Sequence, residues 1–354
     1  MIVVRVVQAD DLDALFELAS RTGRGMTSFK PDRAALTQRI DRVRRTIEGT
    51  APLGEQGYLF VMEDTETRAV VGVCALEAAV GMTQPFYNYR ISTVVHASRE
   101  LDIWTKMTML NISHDLTGYA ELCSLFLAPD ARVSGNGALL SKSRFMFLAQ
   151  FAERFPPRIC AEMRGHFDEQ GESSFWSAVG AHFYQIEFDQ ADYLSSHGKK
   201  SFVAELMPRY PVYVDLLPPE AQACIAKTHK DTLPARTLLE AEGMRFENHI
   251  DIFDAGPVLE SHVDTTRAAR ESLLLPIELD DSAPGDGVRH LVSNTSLTDF
   301  RVILVPRAPH SGSLKLTREE AHALNLAGDG AAPQLHEQPQ AQVRVLSLYP
   351  KERK

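Results

Sequence analysis

The residues best suited to chemistry lie in one stretch, Glu121-Leu-Cys-Ser-Leu125-Phe-Leu127-Ala-Pro-Asp-Ala-Arg132-Val-Ser-Gly135-Asn136-Gly137-Ala-Leu-Leu140. An apolar run ends, an arginine follows, and two glycines one residue apart open a segment of helical character. Backbone N–H groups at the start of a helix point outward unpaired, at the positive end of the helix dipole, and so suit a phosphate or pyrophosphate. Gly135 and Gly137 allow close backbone approach, Asn136 lies between them, and Arg132 adds a positive charge nearby. A dinucleotide fingerprint needs a third glycine where Leu140 stands, and a Walker loop needs Gly-Lys-Ser/Thr after its glycines; neither is present. A glycine-rich turn that only joins strand to helix explains the same residues.

Other candidates are scattered. His229, in Thr228-His-Lys-Asp-Thr-Leu-Pro234, has a side chain that titrates near neutrality and can move a proton, although a lone loop histidine is more often a solvated surface residue. His96, Ser98 and Arg99 follow one apolar run and Arg164 ends another; an arginine fork suits a free carboxylate, or equally a structural ion pair. Glu121 and Glu162 are candidates to face a cation. The aromatics at Tyr87 and Tyr89 read as packing. Cys74, Cys123, Cys160 and Cys224 lie far apart beside apolar residues and read as buried free thiols, with no metal-ligand spacing.

The elements that must position these residues follow from periodicity. The spacing predicts a buried strand over 2–7, a helix from Asp10 to about Ser20, and a second from Pro31 to about Ile47. A hairpin follows, with strands at 57–63 and 69–77. Residues 81–120 show no clear period and are left undelimited. Then come a strand at 121–127, the glycine loop, a helix over 137–153, a strand at 158–163 and a helix near 172–180. Past 250 the character changes: connectors at 278–290 and 327–341, strands near 299–306 and 342–349, and a helix opened by the capping box Thr317-x-x-Glu320. The reading is α+β, with a core over 1–250 and a smaller β-rich part over 251–354.

Composition sets outer bounds. The 354 residues carry a net charge of −10, which argues against a nucleic-acid partner. No stretch approaches the ~18 apolar residues of a membrane span, and the N-terminus is not that of a secretory signal, so a cytoplasmic protein is expected.

Longer strings carry a family resemblance. The segment Arg132-x-x-Gly135-x-Gly137 between strand and helix is similar to the acetyl-CoA loop of GNAT enzymes, whose mixed sheet flanked by helices matches the element order. Gly57-Tyr-Leu-Phe-Val61, Thr93-Val-Val-His-Ala-Ser-Arg-Glu-Leu101, Ala161-Glu-Met-Arg-Gly165, Ala204-Glu-Leu-Met-Pro208 and Asp251-Ile-Phe-Asp254 resemble the arginine N-succinyltransferase family, over roughly residues 1–270. The resemblance implies transfer of succinyl from succinyl-CoA to the α-amino group of L-arginine, ornithine being accepted by some relatives. It implies no permanently bound cofactor and a homodimer or a heterodimer with a paralogous subunit. It puts Leu125 at the succinyl-CoA site and His229 in a proton-donor role, and no tyrosine can be assigned as the usual acid. For such chemistry, backbone N–H groups near Leu125–Leu127 would polarise the thioester carbonyl; His96, Ser98 and Arg164 are the candidates for substrate contact. Two rivals stay open: a non-catalytic acyl-CoA-binding subunit, and an acetyltransferase for another amine.

Overall fold

A computed structural model describes residues 1–22, 26, 28–133, 135–196, 201–326 and 341–350. Strand β1 (Ile2–Val6) leads into helices α1 (Leu12–Ser20) and α2 (Arg33–Ile47). Asp11 rather than Asp10 organises the first of these: it is buried, accepts from Gln8 N–H and pairs with Arg5 at 2.8 Å. Helix α2 starts two residues after Pro31, because Asp32 caps it by accepting from Ala35 N–H. The expected hairpin is present as β2 (Gly57–Asp64) and β3 (Val70–Glu77). Residues 81–120 contain a second, longer hairpin, β4 (Asn88–Ser98) and β5 (Ile103–Ser113). Its distal half is exposed on both faces, so no inside–outside alternation marks it in the sequence.

Strand β6 (Ala120–Leu127) ends at the glycine loop, from which α3 (Asn136–Gln150) runs back to β7 (Arg158–Glu162). Short elements follow: α4 (Ala181–Tyr184), α5 (Phe188–Ser196), α6 (Ser201–Leu206), β8 (Val212–Tyr213), α7 (Pro219–Gln222) and α8 (Leu233–Ala241). Then come β9 (Arg245–Asp251), β10 (Pro257–His262), α9 (Arg267–Glu271), β11 (Leu273–Leu279), β12 (His290–Ser293), β13 (Arg301–Val305), β14 (Leu314–Leu316), α10 (Arg318–Ala323) and β15 (Gln342–Ser347). The capping box at Thr317 and Glu320 is formed as expected. Of the expected connector 327–341, residues 327–340 lie outside the described residues.

Among the described residues the strands form one mixed sheet in the order β14-β11-β15-β12-β13-β1-β2-β3-β6-β7-β10-β9-β4-β5-β8. The β-rich C-terminal strands join it through β13, antiparallel to β1. The expected division at 250/251 falls inside β9, whose partner β10 lies beyond it and also pairs with β7. Two pairs are parallel, β6 with β7 and β11 with β14.

Helix α3 is covered on nearly every side, by β3 and β6 and by α8 and α9. Phe147 packs on Tyr58, Phe60, Phe151 and Phe300 with ring centroids 4.7 to 5.1 Å apart. A helix buried all round must satisfy any charge it carries inside the protein. Lys142 does so, pairing with Glu242 at 3.0 Å and donating to Leu348 O at 2.8 Å, which ties the C-terminal strand to the core. Arg144, two residues on, has no such partner.

Candidate active site

The site opens where two strands part. Parallel pairing of β6 and β7 is confined to Ala120↔Ile159 and Glu121↔Cys160. On its other side β6 carries a bulge: Val73 faces Phe126 but Ala75 faces Cys123, so β6 has an extra residue there. Ser124 takes the strain with φ +52°, an uncommon value for a residue with a Cβ. It is braced by Arg39, whose guanidinium donates to Ser124 Oγ at 2.8 Å, and by its own hydrogen bond to Ser28 O. A bulge increases local twist. Beyond it the strands diverge around a cavity of about 370 Å³, walled by Glu121–Phe126 on one side and Ala161–Arg164 on the other.

Leu125 and Arg132 line this cavity, and Arg132 Nε also donates to Leu127 O at 3.1 Å. Leu127 itself is buried opposite Gly72 and does not line it. Gly135 sits at the start of α3 with φ +92°, a conformation that favours glycine. Asn136 is internal to the turn: its amide donates to Val133 O and its side chain to Ala131 O. The two glycines are not equivalent. A Cβ on Gly135 would meet the guanidinium of Arg289 at 2.9 Å, whereas one on Gly137 would meet nothing within 4 Å, and Gly137 has helical backbone. Arg289 arrives from the C-terminal part, so sequence spacing offered no signal for it.

The opposite wall is acidic. Glu162 ends β7 and receives a hydrogen bond from Asn88 at 2.9 Å, and Asp192, Asp231, Asp251 and Asp254 complete the surface. Asp254 accepts from Gly165 N–H at 2.7 Å and Gly256 N–H at 2.8 Å. Asp251 accepts from Phe253 N–H and Asp254 N–H. Burial, then the facing Asp251 carboxyl, pushes Asp254 up to about 8, and burial raises Asp251 as well. The two therefore share a proton at neutral pH. Arg164 lies among these acids with its guanidinium 4.9 Å over the Phe167 ring. Burial lowers its pKa, partly offset by Asp254, Asp231 and Asp192.

His229 stands directly behind this wall. Its ring is not part of the lining, but Arg164 O accepts its backbone N–H at 2.8 Å, and Asp231 and Thr232 beside it line the cavity. Nδ1 accepts from Asp231 N–H at 3.2 Å, which leaves the ring hydrogen of the neutral form on Nε2. Burial, then Arg164, lowers its pKa below 6.5, so the resting imidazole is neutral.

His96 and Ser98 are not brought to the cavity. They stand on the exposed distal half of β4, where His96 stacks on Tyr213 and Ser98 bonds Glu100. The four cysteines are free; Cys123 lines the cavity but burial pushes its thiol up to about 12, which disfavours a thiolate nucleophile. Sequence reading missed Arg144, Asp192, Asp251 and Asp254, all on the wall. The available signal was a charge at Arg144 just before the apolar run Phe145-Met-Phe-Leu148.

With this geometry in view, comparison with known proteins decides the family. The sequence pattern described as "Arginine N-succinyltransferase beta subunit" matches residues 2–268, and that of the same subunit's C-terminal domain matches 274–329. The chain belongs to the arginine N-succinyltransferase family. It is 50% identical to the arginine N-succinyltransferase of Citrobacter koseri over 330 residues, which is 93% of this chain and 96% of that one. The Escherichia coli arginine N-succinyltransferase is 48% identical over the same span. Among solved structures, the arginine/ornithine succinyltransferase subunit AI from Pseudomonas aeruginosa superimposes with a TM-score of 0.87 at 34% identity, covering 99% of each chain. The family is one of acyltransferases, and the fold is GNAT-type: a mixed sheet with a bulged, splayed strand pair ahead of a glycine-loop helix. Among the described residues no group of side chains could hold a metal ion, and no helix is long and apolar enough to cross a membrane.

Proposed function

We propose that this chain transfers the succinyl group of succinyl-CoA to the α-amino group of L-arginine, with no acyl-enzyme. The observation that carries the reading is a cavity whose β6–α3 wall brings Arg132 and Arg144 beside Glu121, with an acidic wall facing it across the splayed strands. The relatives' names supply the substrates. A pyrophosphate then lies against the first N–H groups of α3, beside Arg132 and Arg289, and the pantetheine arm follows β6 toward the bulge. The guanidinium faces Asp192, Asp251 and Asp254, and Arg164 takes the α-carboxylate.

The amine nitrogen attacks the thioester carbon and a C–N bond forms. The carbonyl oxygen gains charge, stabilised by β6 backbone N–H at Leu125, on the side where β6 has left β7. The C–S bond breaks, the nitrogen gives up a proton, and the CoA sulfur takes one. The proton that the nitrogen gives up passes to the His229 ring, and the imidazolium so formed, a strong acid because burial depresses its pKa, gives a proton from Nε2 to that sulfur. Ornithine carries the same α-amino acid head with a shorter cationic arm and is a second acceptor to test.

An oligomer belongs to this reading, either a homodimer or a pair with a paralogous subunit. The exposed apolar residues of the β4–β5 tip, Val95, Leu101, Ile103 and Trp104, are the surface that supports it, and sedimentation of the purified chain tests it. A cytoplasmic location follows from the substrates. Of the β-rich part over 251–354, Asp251, Phe253 and Asp254 line the cavity, and the strands beyond them serve to hold α3 and present Arg289. The direct experiment is CoA release by the purified chain with succinyl-CoA and L-arginine, with acetyl-CoA as the poor donor. Equal rates with acetyl-CoA, or no product from arginine or ornithine, would remove the assignment.

A further inference from the structure

Five cationic side chains are buried among the described residues: Arg5, Lys142, Arg144, Arg267 and Arg307. Four have a carboxylate: Arg5 has Asp11 and Glu63, Lys142 and Arg267 share Glu242, and Arg307 has Glu320. Arg144 is 2% exposed and has none. Its guanidinium reaches only neutral acceptors, Ser141 O and Oγ at 3.2 Å and Cys123 O at a long 3.4 Å. Burial lowers its pKa, and no carboxylate raises it back. A buried charge without a counter-ion is strongly unfavourable, so a fold that keeps one has a use for it.

Arg144 also lines the catalytic cavity. It touches Cys123, the residue before the strained Ser124, and so faces the bulge where the donor's thioester has to lie. It is too far along α3 to serve the pyrophosphate: it follows Gly135 by nine residues (144 − 135), or ~13 Å at ~1.5 Å per residue. The acceptor's carboxylate has Arg164 on the other wall. What remains is the far end of the acyl chain, whose carboxylate in a succinyl group lies three bonds from the thioester carbon.

We propose that Arg144 is the counter-ion for the terminal carboxylate of the acyl donor, and hence the residue that selects a dicarboxylic acyl-CoA over an unsubstituted one. This rests on the succinyl-transfer reading above. The test uses the full chain with L-arginine and two donors of equal length, succinyl-CoA and butyryl-CoA. In Arg144→Gln, kcat/KM for succinyl-CoA should fall ~100-fold, as for a lost charge-assisted bond in a buried site, while butyryl-CoA changes less than ~3-fold. Arg144→Lys should keep part of the preference. Arg144→Met, which removes an uncompensated buried charge, should melt no lower than the parent, where a structural ion-pair residue would melt lower. A parallel loss with both donors, or an unchanged preference in folded Arg144→Gln, overturns the proposal. So does equal thermal stabilisation of the parent by the two donors, a measurement that holds even if every variant fails to fold. No turnover by the parent with either donor would instead sink the succinyl-transfer reading itself.

Discussion

The two walls of the cavity handle buried charge in opposite ways. On the β6–α3 wall, Arg144 is a full positive charge with no acid beside it. On the facing wall, Asp251 and Asp254 are two acids that relieve their repulsion by holding a proton between them. A cation cannot use that second device, because a guanidinium does not deprotonate in proteins. One wall therefore keeps its charge at neutral pH, while the other can relieve its charge by protonation. The glycines of the loop also differ: Gly135 is needed by the fold, whereas a Cβ on Gly137 would meet nothing in the protein within 4 Å.

The largest effect should come from behind the acidic wall. His229→Ala should lower kcat by ~100-fold, the low end for general acid catalysis because a thiolate is already a fair leaving group. Succinyl-CoA affinity should hold. His229→Gln should fail similarly, since it can hydrogen-bond but cannot supply the proton. Parent-like kcat in a folded variant, with chemistry shown to be rate-limiting, would end the proton-donor role. A raised KM for arginine at unchanged kcat would assign the ring to the acidic wall instead.

Next is the acidic wall itself. Asn at 251 can keep accepting from Phe253 and Asp254 N–H and donate to the Asp254 carboxyl, mimicking the proton-sharing state. Asp251→Asn should raise KM for arginine ~10-fold or more, with KM for succinyl-CoA unchanged. If both KM values move together, the walls do not divide the substrates between them.

Gly137→Ala should be smaller and cleaner. Its Cβ meets nothing in the protein, so melting temperature should hold, or rise slightly from better helix propensity. Succinyl-CoA affinity measured by calorimetry should fall several-fold if the pyrophosphate packs there. Unchanged affinity would make the loop only a turn. Gly135→Ala should instead lower melting temperature as well, through its positive φ and the clash with Arg289.

The smallest effect concerns pH. Asp254 holds its proton up to about 8 in the fold but releases it near 3.8 when unfolded. Its stabilising contribution is complete below the unfolded value and is lost as pH rises toward 8. The parent should therefore melt lower at pH 8 than at pH 5 by a margin that Asp251→Asn reduces, and saturating arginine should narrow it too. Identical pH slopes in parent and variant would remove the shared proton.

The local elements were legible because their signals are local. The β2–β3 hairpin, the glycine loop before α3 and the capping box at Thr317 are each written within a few residues, and the family strings run through the first two. Hairpin β4–β5 was not legible, because strands exposed on both faces carry no alternation. Nor were the walls: Arg132 and Arg164 could be nominated by position, but His96 and Ser98 could not be excluded by it. Sequence by itself determined the residues, the family and the order of the elements with local signals, outside 81–120. Only the tertiary structure decided which charges share a cavity and which are left without a partner. Compensation of a buried charge depends on what stands within a few ångströms in space, and Asp251 and Arg144 come within reach of one cavity only when β6 and β7 part around it.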